Sequence, residues 1–562
     1  MRAVRGLLVL LAATAVGIAY YTTRDDPVGK DDRIAGEARP AADAVRLTFA
    51  YSSNLEDMMA TLIPRFNAER HEVNGRSIFV TGVPASSGDV EMKIVRGRMK
   101  PHAWSPASSL WGRLLNHEVD RKYVADENPS LASSPVVIAM WEPLARALGW
   151  PRKPIGFADI LELATTKSSW AAHGKPTFGD FKLGHTNPDF STSGLSFVAA
   201  QYYTATGKRE GLTVADVERP EIRERVRAIE RSIVHYGDTG SFFSEQLAEH
   251  GPGYASAVAM EETTLLEFNE TRKPGELKLV AIYPAEGTYV SDNPYIVLQA
   301  PWVTSAQKNG AEALGAWLQK ELTPKLVARF RYRPGDQSVE PLPPVTRENG
   351  VDPTQPQRLL SLPQPPVLAR IKQAWREDRK PANVMLVVDV SGSMNDERKI
   401  SHARDGLKAF LGQLSPRDRV GLMTFDAEIR TIVPLAEFAA VRGVLRQRAS
   451  ELIADGGTAL YDATAAGWTA VDGLQDDERI NAVVVLSDGA DTESRLSRAN
   501  ALAAIRARSE GEGRQIRIFT IAYGSDAKSD VLEEIATASG GKAYSGDPRT
   551  IEAVYLQISS YF

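Results

Sequence analysis

The sequence predicts an α/β protein in two parts: a two-lobed domain of alternating strands and helices, then a second α/β domain with a mainly parallel sheet. Three observations carry this. The chain has 562 residues, more than one hydrophobic core organises. Apolar runs of strand length alternate with helical patterns along nearly all of it. And prolines cluster once, from Pro334 to about Pro366, dividing the pattern.

The composition is that of a globular protein, 43% hydrophobic and 24% charged. A net charge of −5 and no long basic run argue against nucleic acid as a partner. Cysteine is absent, which excludes disulfides, thiolate nucleophiles and cysteine zinc sites.

Taken in order, Arg2 and Arg5 precede the apolar run "GLLVLLAATAVGIAYY" (6–21), and "TTRDD" follows. Residues 1–22 therefore read as an export signal. The segment is either retained as a membrane anchor or cleaved after Ala15 or Ala19, and the chain beyond it faces outward. Residues 23–44, rich in charge and small side chains, form a flexible spacer. From 45 to 333, "VRLTFAY", "SIFVTGV" and "PVVIAMW" read as strands. Leu55, Met58, Met59 and Leu62 fall on one helical face, and "EIRERVRAIERSIVHYG" and "AEALGAWLQKELTPKLVARF" read as helices. Residues 334–379 are a linker stiffened by proline, ending in a short docking helix that turns Val367, Leu368, Ile371 and Trp375 to one side. From 380 to 562, "VMLVVDV", "RVGLMTF", "AVVVLSDG" and "IRIFTIAYG" are strands buried on both faces, as in a parallel sheet.

In such a sheet, ligand sites gather at the carboxyl ends of strands. Asp389, Ser391 and Ser393 end the first strand on alternate positions, so their side chains point one way. Thr458 follows two glycines and precedes a helix, and Asp488 ends another strand. All five offer oxygen, with no histidine or cysteine, which suits Mg²⁺, Mn²⁺ or Ca²⁺ rather than zinc. The same residue types also cap helices and turns. It is their combination that points to a metal.

This constellation resembles the von Willebrand factor A domain and its metal-ion-dependent adhesion site. By that resemblance, Ser391, Ser393 and Thr458 offer hydroxyls to a Mg²⁺-class ion, and Asp389 and Asp488 act through bound water. The sixth position is left for a carboxylate of an acidic protein partner. Asp396 and Glu397 sit where integrin β chains, which are relatives, carry a second cation; they also suit the start of a helix.

Residues 45–333 resemble bacterial extracellular solute-binding proteins, with a two-lobed fold like that of type II periplasmic binding proteins. The stretches that carry the likeness are "AYSSNLEDMMATLIPRFN", "AWSPASSLW", "HTNPDFSTSGLSFVAAQYY" and "YPAEGTYVSDNPYIVL". Ser52, Ser53, Ser191, Thr192 and Ser193 sit at predicted helix N-termini, which favour anions and polar ligands. Trp104, Ser108 and Ser109 are expected on one wall of the cleft, and Glu261 on another or as selector of a cationic group.

No P-loop, no GxSxG elbow and no HExxH is present, and the eight histidines are scattered. His185 and His235 read as packing or loop residues, and Asp476, Asp477 and Glu478 as a solvated face. The expectation is a non-enzymatic, exported binding protein. Its A domain grips a protein through a divalent cation, and its first domain takes a small solute or a second protein. The alternatives are a receptor for an ABC-type importer with the A domain as docking module, or an assembly factor.

Overall fold

The computed structural model describes residues 40–509, 515–524 and 526–562. The export segment and most of the spacer expected from the sequence lie outside these residues.

Lobe 1 begins with β1 (Val45–Ser52), β2 (Glu72–Val73), β3 (Arg76–Ala85) and β4 (Ala103–Ser105). β1 lies parallel between β3 and β4, an interior position that accounts for its apolar run. The helix Glu56–Glu69 buries Met58, Met59, Leu62, Ile63 and Phe66, positions spaced for one helical face.

The chain then crosses to lobe 2, with β5 (Ala132–Trp141), β6 (Leu183–Thr186), β7 (Ile233–Gly237), β8 (Ala257–Glu261), β9 (Leu279–Ile282) and β10 (Val290–Ser291). β5 is buried throughout and pairs antiparallel with β8, β9 and β10. β11 (Ile296–Val297) returns to β4 in lobe 1, and β12 (Arg333–Pro334) comes back to β5 in lobe 2.

The proline-rich stretch forms no helix or strand from 335 to 364, yet it is fastened down. Val345, Val351 and Leu360 are buried with the core of lobe 2. The Arg333 guanidinium donates to the Glu262 carboxylate and to the carbonyls of Asp352, Pro353 and Gln355. The helix Pro365–Asp378 follows and buries Val367, Leu368, Ile371 and Trp375. It touches both lobes: Leu368 packs with Leu110 and Trp111 of lobe 1, and Trp375 meets the Tyr236 ring of lobe 2 at 5.0 Å.

The last sheet comprises β13 (Ala382–Asp389), β14 (Arg419–Phe425), β15 (Ile429–Glu437), β16 (Ile480–Ser487), β17 (Ile516–Tyr523) and β18 (Ala543–Gly546). Their order is β15-β14-β13-β16-β17-β18, all parallel except the edge strand β15. β15 and β18 escape the apolar-run criterion because they lie at the two edges. β15 is half exposed and carries Pro434, which only an edge tolerates. β13 and β16, paired at the centre, are wholly buried and carry the candidate metal residues at their carboxyl ends.

Candidate metal centre and inter-lobe cleft

Asp389 is the last residue of β13, and Asp488 directly follows β16. Both are fully buried. Backbone bonds gather three loops around them. Val390 N–H donates to Phe425, Gly392 N–H to the Gly456 carbonyl at 2.9 Å, Asp455 N–H to Val390 at 2.7 Å, and Thr492 N–H to Thr458 at 2.8 Å. Gly456 sits at φ +83°, a conformation that glycine adopts without strain.

The side chains meet there. Ser391 and Ser393 hydroxyls stand 3.1 Å apart, and Ser393 Oγ donates to Asp488 Oδ1 at 2.7 Å. Asp389 accepts from Ser391 N–H at 2.8 Å and from Ser487 Oγ at 2.6 Å. A Cβ placed on Gly489 would stand 3.7 Å from Thr458 Oγ1 and 3.9 Å from Ser393 Oγ, so these two hydroxyls border one small space. Burial pushes the Asp389 carboxyl up to about 6, and the Asp488 charge adds to this against the bonds from Ser391 and Ser487.

Two carboxylates and three hydroxyls thus converge from three separate loops. The donor set fits a hard divalent cation. Among the described residues, no group of three or more His, Cys, Asp or Glu side chains gathers in ligand position, so a cation at this point would need the hydroxyls among its donors. Asp396 and Glu397 are exposed, at the kink before the helix Lys399–Leu411.

Three neighbours carry no sequence signal of their own. Ser487 holds Asp389. The Glu493 side chain lies over Gly457, where a Cβ would be 2.6 Å from its Cγ. Lys399, buried at the start of its helix, donates from Nζ to Asp488 Oδ2 at 2.8 Å.

Between the lobes, Ser52, Ser53, Ser191, Thr192, Ser193 and Glu261 line one small void of about 20 Å³. Asn54, Ser86, Ser87, Asp238 and Thr239 also line it, residues that sequence reasoning did not single out. Ser86 and Ser191 each precede a helix without capping it through the side chain, and the serine-before-helix signal that marks Ser191 marks Ser86 as well. Glu261 accepts from Asn54 Nδ2 at 2.5 Å and from Ser291 Oγ at 2.8 Å, while burial pushes its carboxyl up.

Trp104, Ser108 and Ser109 are not in this cleft. Trp104 is fully buried in β4, under the helices Ser87–Val95 and Ser109–Glu118, because β4 lies inside the sheet. Ser108 caps the second of those helices, accepting from Leu110 N–H. Ser109 is taken up by the Asp292 carboxylate.

The lobes are shut. Gly88 N–H donates to the Phe190 carbonyl at 2.9 Å, and Trp111 Nε1 donates to Thr192 Oγ1 at 2.8 Å. A Cβ on Gly88 would lie 2.1 Å from the Asp189 carbonyl oxygen, so only glycine lets the lobes approach this closely.

Comparisons with known proteins agree with these two parts. The family model for the von Willebrand factor type A domain matches residues 383–552. An uncharacterized protein of Mycobacterium tuberculosis is 22% identical over 559 residues, covering 95% of this chain and 80% of that protein. The inter-alpha-trypsin inhibitor heavy chain H4 of Bos taurus is 31% identical over 170 residues. That match covers 29% of this chain but only 18% of the heavy chain. Among solved structures, a von Willebrand factor type A protein from Catenulispora acidiphila matches with 22% identity and a TM-score of 0.29, over 32% of this chain and 42% of that one. BatB from Bacteroides thetaiotaomicron matches with 19% identity and a TM-score of 0.27, over 32% of this chain and 97% of that one. Among the described residues, no helix is long and apolar enough to cross a membrane. The family model for bacterial extracellular solute-binding proteins matches residues 47–330, half of the chain. The chain therefore belongs to the bacterial extracellular solute-binding protein family and carries a von Willebrand factor type A domain behind it.

Proposed function

We propose that this is an exported, non-enzymatic adhesion or adaptor protein whose A domain grips an acidic group of a partner protein through a divalent cation. The observation that carries this reading is the convergence of Asp389, Ser391, Ser393, Thr458 and Asp488 on one point at the carboxyl edge of the sheet. Ser391, Ser393 and Thr458 would hold a Mg²⁺-class ion through hydroxyls, with Asp389 and Asp488 behind them. A cation so bound supplies an electrophilic position that a partner's carboxylate completes. The neutral hydroxyls withdraw little of its charge, and the two carboxylates orient donors through Ser391 N–H, Ser393 and Ser487.

The first domain, in this reading, serves chiefly to support and orient the A domain. Its closed cleft has room for about one water molecule. A solute would have to part lobes that the helix Pro365–Asp378 also spans. That weighs against an importer receptor, whose lobes must open and close freely around their cargo.

Thermal unfolding tests the metal reading. Mn²⁺ or Mg²⁺ at 100 times its dissociation constant should stabilise the protein by about 2.7 kcal/mol, a rise of several degrees in Tm. Asp389→Ala and Asp488→Ala should each abolish the rise. A rise that survives both substitutions would remove the site from consideration.

A further inference from the structure

Lys399 is the cation already at this centre. Its side chain is 3% exposed and its partner Asp488 is 0% exposed, with Nζ 2.8 Å from Oδ2. The rest of the residue is fixed as well. Its backbone carbonyl accepts from Tyr523 Oη at 2.9 Å. Its stem crosses Gly524, where a Cβ would come within 2.9 Å of Cε. Gly524 stands at φ +89°, so both its conformation and its bareness leave a channel for this lysine. Lysine is almost never fully buried unless paired, and this pairing is built by two strands and a helix.

The formal charges then matter. Among the buried groups, Asp389 and Asp488 contribute two negative charges, and Lys399 returns one positive charge in direct contact with Asp488; Glu493, an acid at the rim, is exposed to solvent. A divalent cation added to this set leaves a net positive charge beside the buried carboxylates. One further carboxylate restores neutrality. Without the lysine, the two aspartates would balance the cation alone.

We propose that Lys399 makes cation binding and acidic-ligand binding interdependent: it weakens the site's hold on a bare divalent cation and thereby selects partners that bring a carboxylate. This rests on the reading of the centre as a cation site, and it identifies the residue that makes the site demand a charged ligand. Lys399 acts through Asp488 and through its charge, as a specificity-determining residue, and needs no contact with the partner.

The test is Mn²⁺ titration of the full chain, followed by electron paramagnetic resonance of free Mn²⁺ and by thermal shift, in chloride and in acetate of equal ionic strength. Lys399→Met and Lys399→Gln keep much of the stem and drop the charge. Both should bind Mn²⁺ alone at least about tenfold more tightly than wild type, since the lysine charge repels a divalent cation held by the same carboxylate by more than that even at the screening of a protein surface. Their metal-free Tm should fall, because Asp488 loses its partner, and their Mn²⁺-induced rise should exceed that of wild type. Acetate, as a carboxylate probe, should tighten Mn²⁺ binding in wild type and have little effect in the variants. A lysine that only supported the fold would change Tm and leave the acetate dependence alone. Equal Mn²⁺ affinity in wild type and variants, or wild-type affinity indifferent to acetate, overturns the proposal while the cation site stands. The acetate arm needs no substitution, and wild-type affinity indifferent to acetate overturns the proposal even if both variants fail to fold. Wild-type binding no better than that of Asp389→Ala overturns the cation site and this proposal with it.

Discussion

At the scale of single residues, two histidines each make acid costly to the fold. His235 is buried where lobe 2 meets the A domain, stacked on Phe243 and in ring contact with Tyr561. It donates from Nδ1 to the Tyr236 carbonyl, and Nε2 accepts from Tyr254 Oη. Burial, then the charge of Arg517, pushes it down to about 3. The same two causes push His250, stacked on Tyr254, down to about 4. Both titrate near 6.5 in an unfolded chain. Between pH 6.5 and 4 the unfolded state takes up protons that the folded state refuses, so stability falls as pH falls through that window. His235→Gln can still accept from Tyr254 and does not titrate there. Urea unfolding at pH 7.5 and pH 5 should show the variant losing about 2 kcal/mol less than wild type on acidification. Equal losses would mean that His235 is protonated in the folded protein.

At the scale of elements, the helix Pro365–Asp378 is the fastener. Trp375, 1% exposed, sits in the core and donates from Nε1 to Glu230 Oε2 at 3.1 Å. Glu230 also binds His185, Gln201 and Tyr236, so one buried carboxylate ties the helix to lobe 2. Asp378, at the helix end, receives Arg223 at 2.5 and 2.7 Å and Arg227 at 3.0 Å. Trp375→Ala should cost about 3–5 kcal/mol in urea unfolding, since it opens a cavity and strips a buried acceptor. Trp375→Phe, which keeps most of the ring, should cost far less. The sequence allows the apolar face of this helix to be read, because Val367, Leu368, Ile371 and Trp375 recur at helical spacing. It does not allow the pairing of Asp378 with Arg223 to be read, since nothing local joins residues 155 positions apart. The same limit runs through both sites. Asp389, Ser391, Ser393, Thr458 and Asp488 were legible because strand ends and residue chemistry agree. Lys399 was not, because a lysine opening a helix looks like an ordinary surface charge until Gly524 turns it inward. Outside the cleft, Ser108 and Ser109 have the same local signature as Ser52 and Ser53 inside it. Only the tertiary fold sends one pair to a cap and to Asp292, and the other to the void.

At the scale of the whole molecule, lobe 2 and the A domain act as one body. Their apolar cores are continuous, with Phe242 of lobe 2 and Phe519 of β17 both against the Tyr561 ring, at 4.9 and 4.5 Å. Polar bonds cross the same surface. Lys542 Nζ reaches Asp238 at 2.9 Å, Asn187 Nδ2 donates to the Ser560 carbonyl at 3.1 Å, and the Arg517 guanidinium lies 4.9 Å over the Tyr254 ring. Asp238 also lines the cleft, and Asn187 opens the turn that leads to Ser191 and Ser193, so the cleft wall and the A domain share residues. Lobe 1 meets the A domain through an exposed pair, Arg98 with Glu552 at 2.9 Å, which contributes little. Any opening of the cleft must therefore swing lobe 1 away from a fixed unit of lobe 2 and A domain. A protease site inserted at the exposed residues 336–340 cuts the chain between β12 and the A domain and leaves residues 341–378, which pack on lobe 2, with the A-domain half, so association of the halves reads this strap and the interface together. The nicked halves should co-elute as a single species on gel filtration and separate only in denaturant. Lys542→Ala combined with Asn187→Ala should weaken this association, and a nicked wild-type protein that falls apart in buffer would show that the linker, not the interface, holds the A domain to its support.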